Sequence, residues 1–298
     1  MTQSISLSTT DAKIFERGAA QDRLFMHSAV GRWARLRRNP TTVIGLVIVI
    51  TYLLLALVGE WLAPYGYTEQ RLNDALQPPS MRYWFGTDQF GRDILSRVIV
   101  GSRSIITLAL ASTALALALG MLTGVAAGYF GGWIDEILMR VTDVLLAFPA
   151  LLLALLILST LGSDLIYLII CIGVVFAPAI ARVVRSMVLE LRTREFVDAA
   201  RMIGSSHTRI MRREILPNLL STLLVEAAIF FGYAILVGSG LGFLGMGGQP
   251  PSPDWGLQVN DGRNFLLTAP WVALFPALAI SSLVVSVNLL ADNLARTK

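Results

Sequence analysis

Six long apolar runs constrain this chain more than any other feature. They cover residues 43–62, 105–129, 144–161, 165–182, 219–244 and 269–290, to within a few residues. A bilayer's hydrocarbon core takes roughly 20 apolar residues per helix, and these runs meet that need. None alternates polar and apolar residues as a barrel strand does, so only helices satisfy the backbone within lipid. Composition agrees: 55% of residues are hydrophobic and only 15% charged, where soluble domains carry about a quarter, and mean hydropathy is +0.66. The sequence therefore predicts an all-α, polytopic membrane protein with six transmembrane helices. The fourth run contains Pro178 and follows a short loop.

Basic residues set the orientation. With the N-terminus in the cytoplasm, the external segments hold only Arg71, Arg82, Arg92, Arg97, Arg103 and Arg263 of the 24 Lys and Arg residues. Both termini are thus predicted to be cytoplasmic. The first 42 residues form a polar leader without a cleavable signal peptide, expected to be flexible at first and amphipathic over about 24–38. Residues 43–298 form the transmembrane domain. Two segments outside the bilayer are long enough to act: an external stretch at 63–103 and a cytoplasmic one at 182–217. The pI near 9.5 reflects this topology, and no nucleic-acid motif accompanies it.

Several chemistries are excluded. The single Cys171 permits no internal disulfide, and His27 and His207 offer no metal cage. A P-loop needs a lysine after its glycine run, but the only lysines are Lys13 and Lys298. The chain is not expected to be an enzyme or to hold a cofactor. If the chain serves uphill transport, ATP and Mg must be bound by other subunits.

The cytoplasmic stretch reads as a helical hairpin. Phe196, Ala199, Ala200 and Ile203 fall on one helix side, Gly204 suits the left-handed position that ends a helix, and Ser206 suits the next N-cap. Glu195 and Asp198-Ala199-Ala200-x-x-x-Gly204, followed by Leu216-Pro217, resemble the coupling loop of ABC importer permeases. Asp198 replaces that motif's usual Glu and keeps its charge, while Glu214 stands where an apolar residue is common.

Two external segments are similar to the C-type permease subunit of dipeptide and oligopeptide importers. One runs Trp84-Phe-Gly86-Thr87-Asp88-Gln-Phe-Gly91-Arg92-Asp93-Ile-Leu-Ser-Arg97. The other runs Gly242-Phe243-Leu244-Gly245-Met-Gly-Gly-Gln-Pro250-Pro251-Ser-Pro-Asp-Trp255-Gly256. Gly128-Tyr-Phe-Gly-Gly-Trp133 and Phe148-Pro149 also fit, so the resemblance spans nearly everything from Arg32 onward. Members commonly carry a Glu before the Phe-Leu-Gly; here Gly238-Ser239-Gly240 occupies that region.

The resemblance implies an importer permease in the bacterial inner membrane. It implies a homologous B-type permease as partner, two cytoplasmic ATPases docked on the 182–217 loop, and a periplasmic binding protein delivering di- or oligopeptides. Nickel chelates, opines, glutathione and sugars use the same architecture. Read from its residues, the first external segment is an amphipathic elbow. Thr87 or Asp88 caps a helix whose apolar side is Ile94, Leu95, Val98 and Ile99, and Asp88, Arg92 and Asp93 form a solvated or ion-paired face rather than a calcium loop. The second segment reads as a stiff proline turn, and together the two are expected to meet the binding protein.

Three features remain inside the spans. Gly120, Gly124 and Gly128 line one helix face and favour static packing over a sliding contact. Glu226 is the acidic residue well inside a span, expected either to line the pathway or to pair with a neighbouring subunit. Arg140 and Asp143 are expected to pair at a helix end. An ion-coupled secondary transporter would instead need inverted repeats and several intramembrane ion ligands, and a non-transporting scaffold would need no coupling loop.

Overall fold

The computed structural model describes residues 40–296, so the predicted amphipathic leader lies outside the described residues. Helix α1 spans Pro40–Leu62, α2 Ile94–Phe130, α3 Gly132–Leu146, α4 Ala150–Leu161 and α5 Leu165–Leu191. The short α6 (Glu195–Met202) and α7 (His207–Ile210) lead through a wide π-turn at Met211–Ile215 into α8 (Leu216–Phe243). Helices α9 (Trp255–Gly262) and α10 (Trp271–Arg296) complete the order. No β-strand occurs among the described residues. Five helices are long and apolar enough to cross a membrane, or six if α3 and α4 count as one broken span.

The spans differ from the sequence expectation in two informative ways. Helix α2 starts at Ile94 rather than near 105, because Asp93 caps it by accepting the Ser96 backbone N–H at 2.8 Å. Thr87 and Asp88 therefore do not cap a separate elbow helix. Ile94 and Val98 belong to the first turns of a 37-residue span, about 55 Å long at 1.5 Å per residue. The third apolar run is not one helix: α3 and α4 meet at 88°. Pro149 lacks the N–H that would continue the ladder and disfavours the helical conformation at Phe148. Twelve-residue α4 rises only about 18 Å, too short to cross by itself.

Helices α2 and α5 form the most extensive pair in the fold. Gly120 faces Ile180, Gly124 faces Ala181 and Val184, and Gly128 faces Val188. The helix backbones approach so closely that a Cβ at Gly124 would lie 2.6 Å from the Ala181 carbonyl oxygen. These glycines are thus a packing seam. Pro178 does not end α5, which continues to Leu191 and carries the seam along its length.

At the far end of α5, Arg185 donates through Nε and Nη2 to both carboxylate oxygens of Asp135 on α3, at 2.5 and 2.6 Å. Asp143 pairs with Arg182 at 2.6 Å, not with Arg140 as the sequence suggested. The Asp143–Arg182 pair is about half exposed on both sides, and such pairs contribute roughly 0–1 kcal/mol. Asp135→Asn is therefore expected to raise protease cleavage within α3, while Asp143→Asn leaves it nearly unchanged. Limited proteolysis of the two variants in lipid checks that ranking.

Candidate functional site

Two sites emerge, at opposite ends of α2. At one end lies the hairpin 195–215. Gly204 has φ +77° and closes α6 with two backbone bonds, Gly204 N–H to the Arg201 carbonyl (2.9 Å) and Ser205 N–H to the Ala200 carbonyl (3.1 Å). This paired closure needs a residue free to adopt a left-handed conformation. Ser206 precedes α7 in extended geometry but makes no side-chain cap. Pro217 falls in the first turn of α8, where a missing N–H costs nothing.

The apolar residues of α6 divide between two jobs. Val197 and Ala200 are buried against the chain itself, packed with Val184, Val188, Ile210, Ile215 and Leu219. Phe196, Met202 and Ile203 are exposed, the last two at 87% and 82%. The expected single face of Phe196, Ala199, Ala200 and Ile203 is thus split: Ala200 anchors the hairpin, while Ala199 lies exposed with Phe196 and Ile203. Glu195 and Asp198 are exposed, and Asp198 accepts from Arg201 at 3.1 Å. Leu216 is half-buried and Pro217 exposed. Beside the hairpin is a cavity of about 270 Å³ lined by Ala200, Ile203, Gly204, Arg209, Arg213 and Glu214.

Three hairpin contacts are not evident from the sequence motif. The Tyr129 hydroxyl pairs with His207 Nδ1 at 2.9 Å. Arg192 Nη1 donates to the Gly128 carbonyl at 3.0 Å. Val197 is fully buried, and its spacing of three from Ala200 was the available signal.

At the other end, the two segments that the sequence reading places outside interlock. Arg97, with a side chain 1% exposed, lies 3.9 Å from Asp88. Its guanidinium donates to the carbonyls of Tyr67 (3.2 Å), Pro251 (3.3 Å) and Ser252 (2.9 Å). Trp255 Nε1 donates to the Val98 carbonyl at 3.0 Å, and Gln258 Nε2 donates to the Pro253 carbonyl at 2.8 Å. Gly101 and Gly256 let backbones meet: a Cβ on either would lie 2.2 Å from a carbonyl oxygen. Arg92 pairs with Asp88 at 2.6 Å and faces Asp261 at 3.8 Å. Asp88 also accepts the backbone N–H groups of Phe90 and Arg92.

Asp88, Arg92 and Asp93 are accordingly ion-paired or hydrogen-bonded in the interior, with no solvated face. Thr87, Trp255 and Gly256 are buried too. Gly86 and Gly91 hold positive φ, and a Cβ on Gly91 would lie 1.9 Å from the Arg71 carbonyl. Of the singled-out external residues, Trp84, Phe243, Leu244, Gly245, Pro250 and Pro251 reach the surface. The proline turn gives way at Asp254 to α9, which the Asp254 carboxylate caps by accepting the Leu257 N–H at 2.8 Å. Burial pushes the carboxyl groups of Asp93, Asp254 and Asp261 above the usual carboxylate range. These segments are chiefly an internal framework, with a narrower exposed rim than the sequence suggested.

Glu226 is half-buried on α8 and engaged in an interaction. Among the described residues no group of His, Cys, Asp and Glu is arranged to hold a metal ion.

A helical bundle with an exposed hairpin at one end and a cross-tied framework at the other fits a transport permease. Residues 116–298 match the family model for the binding-protein-dependent transport system inner membrane component, and residues 30–79 match the N-terminal TM domain of oligopeptide transport permease C. The chain is 40% identical over 272 residues to a dipeptide transport system permease protein DppC from Alkalihalophilus pseudofirmus, covering 90% of each chain. It is also 40% identical over 266 residues to a glutathione transport system permease protein GsiD from Escherichia coli, covering 88% of this chain and 87% of the relative. The same identity and coverage hold for GsiD from Shigella boydii. The chain therefore belongs to the binding-protein-dependent transport system inner membrane component family, as a C-type permease. It is a multi-pass inner-membrane transport component, and membership implies ATPase and binding-protein partners in general.

Proposed function

We propose that this chain forms half of the translocation pathway of an ATP-driven importer that carries di- or oligopeptides into the bacterial cytoplasm. Its other half is a homologous B-type permease, two ATPase subunits bind below, and a periplasmic binding protein docks on the exposed rim near Pro250 and Pro251. Both termini face the cytoplasm, with a leader at 1–42 and a transmembrane domain at 43–298. The observation that carries the reading is the hairpin: Val197 and Ala200 root it in the bundle, while Phe196, Met202 and Ile203 present apolar surface outward. Such a surface gains from burial in a partner's groove. ATP-driven closure of the ATPases displaces the hairpin, and differential affinity of the partners for the two states drives the alternation. The relatives' names support a peptide substrate. Glutathione, a small peptide, is the second reading, because the GsiD relatives match at the same 40% identity.

Purification from native membranes tests the assembly. Recovery of a second permease, P-loop ATPases and a peptide-loaded binding protein is expected; recovery of this chain alone under gentle detergent would count against the importer. Gly204 gives the sharper test. A Cβ there meets nothing within 4 Å, so a substitution acts through backbone conformation alone. A left-handed conformation costs an L residue about 1–2 kcal/mol, and Asn tolerates it best. Gly204→Val is expected to lose most ATP-coupled uptake while the complex still assembles, and Gly204→Asn to retain most of it. Equal uptake by both variants would contradict the hairpin's role.

A further inference from the structure

The hairpin is joined covalently to α5, which runs into it, and to α8, which leaves it. Helix α2 has no such continuity. It touches the hairpin through the Tyr129–His207 bond, made across 78 residues of sequence, and through Arg192, which precedes α6 and donates to the Gly128 carbonyl. Tyr129 is 6% exposed. Its ring lies edge-on to the His207 imidazole at 5.7 Å, with the Arg201 guanidinium 6.0 Å from its centroid. At the opposite end of α2, Arg97 and Gly101 grip the 251–255 loop. Between Tyr129 and Arg97 lies unbroken helix, about 48 Å of it at 1.5 Å per residue.

We propose that Tyr129 is a positioning residue for transport: its hydroxyl, held by His207, registers the hairpin on α2, so that hairpin displacement is carried along α2 to the framework around Arg97. The proposal rests on the reading of the hairpin as the ATPase-docking element. The chemistry separates registration from folding. Val197, Ala200, Ile210 and Ile215 hold the hairpin on the bundle by apolar packing, which Tyr129→Phe leaves in place. What that variant removes, among the described residues, is the directional bond from the hairpin's second limb to α2. Lost direction lets the hairpin slide on its apolar base, and ATP is then hydrolysed without an equivalent movement of α2.

The test uses the complete transporter in nanodiscs or proteoliposomes, reading peptide taken up per ATP hydrolysed. Tyr129→Phe and His207→Leu are each expected to lower that ratio about threefold or more, within the range by which coupling residues act, with assembly and thermal midpoint unchanged. The double variant should be no worse than either single, since both remove one bond. His207→Asn, whose amide reaches the Nδ1 position, should recover most of the ratio. Additive losses in the double variant, or no recovery by Asn, would overturn the proposal. Gly204→Val, run alongside, separates the two readings. If it uncouples uptake while Tyr129→Phe does not, the latch fails and the hairpin reading stands. If neither variant changes the ratio, both fail.

Discussion

Arg97→Ala is expected to destabilise the folded permease by about 3–5 kcal/mol, the usual cost of removing one member of a buried charged network. The guanidinium is sealed from solvent and bonded to three backbone carbonyls from two distant loops, those at Tyr67 and at 251–252. Alanine leaves these acceptors unpaired next to Val98, whose carbonyl accepts from the Trp255 indole. Arg97→Lys keeps the charge but cannot reach carbonyls on two loops at once, so it should recover less than half the loss. Thermal unfolding in nanodiscs, followed by tryptophan emission, gives the values. Because Arg97 and Trp255 brace the same loop, Arg97→Ala and Trp255→Ala should combine to less than their separate effects. A loss below about 1 kcal/mol for Arg97→Ala would mean that water replaces the guanidinium and that the framework is not sealed.

The second large effect is expected at the α2–α5 seam. Gly124→Leu places a Cβ 2.6 Å from the Ala181 carbonyl and 2.7 Å from the Val184 Cβ. A carbonyl inside a helix cannot rotate away, so the helix axes must separate. Overpacking of this kind costs about 1–3 kcal/mol, occasionally more, and the strain falls on the most extensive helix pair in the fold. Gly128→Ala is milder, since its closest neighbour is the Val188 side chain at 2.8 Å, with the Arg185 carbonyl at 3.0 Å. Yield of assembled complex and its thermal midpoint should therefore rank wild type above Gly128→Ala above Gly124→Leu. The reverse ranking would show that the seam opens during the cycle and tolerates side chains better at its centre than at its end.

Charge was the least legible property in the sequence. Asp88, Arg92 and Asp93 cluster in one segment, and their composition suits a solvated or ion-paired face without showing that the pairing is buried. Burial depends instead on Asp261 and the 251–255 loop arriving from more than 150 residues away. Likewise Asp143 had Arg140 three residues away, yet Arg182 on α5 became its partner. The α6 face was half legible: an apolar stripe was visible, but which part roots the hairpin and which part is presented depends on where α5 and α8 run.

What the sequence determined by itself is everything governed by local backbone geometry. Apolar runs of sufficient length must be helices in lipid, and Gly204 suits the left-handed position that ends a helix. Glycines four apart on α2 must share a face, because a helix turns every 3.6 residues. Tertiary structure alone decided what those faces meet. It placed α5 against the glycines, joined residues 97–101 to 251–258, bent α3 from α4 by 88° and brought Tyr129 to His207. The reason is physical: helix formation is dictated within a few residues, whereas the pairing of buried donors, charges and close-packed backbones is chosen by whole helices competing to exclude lipid and water.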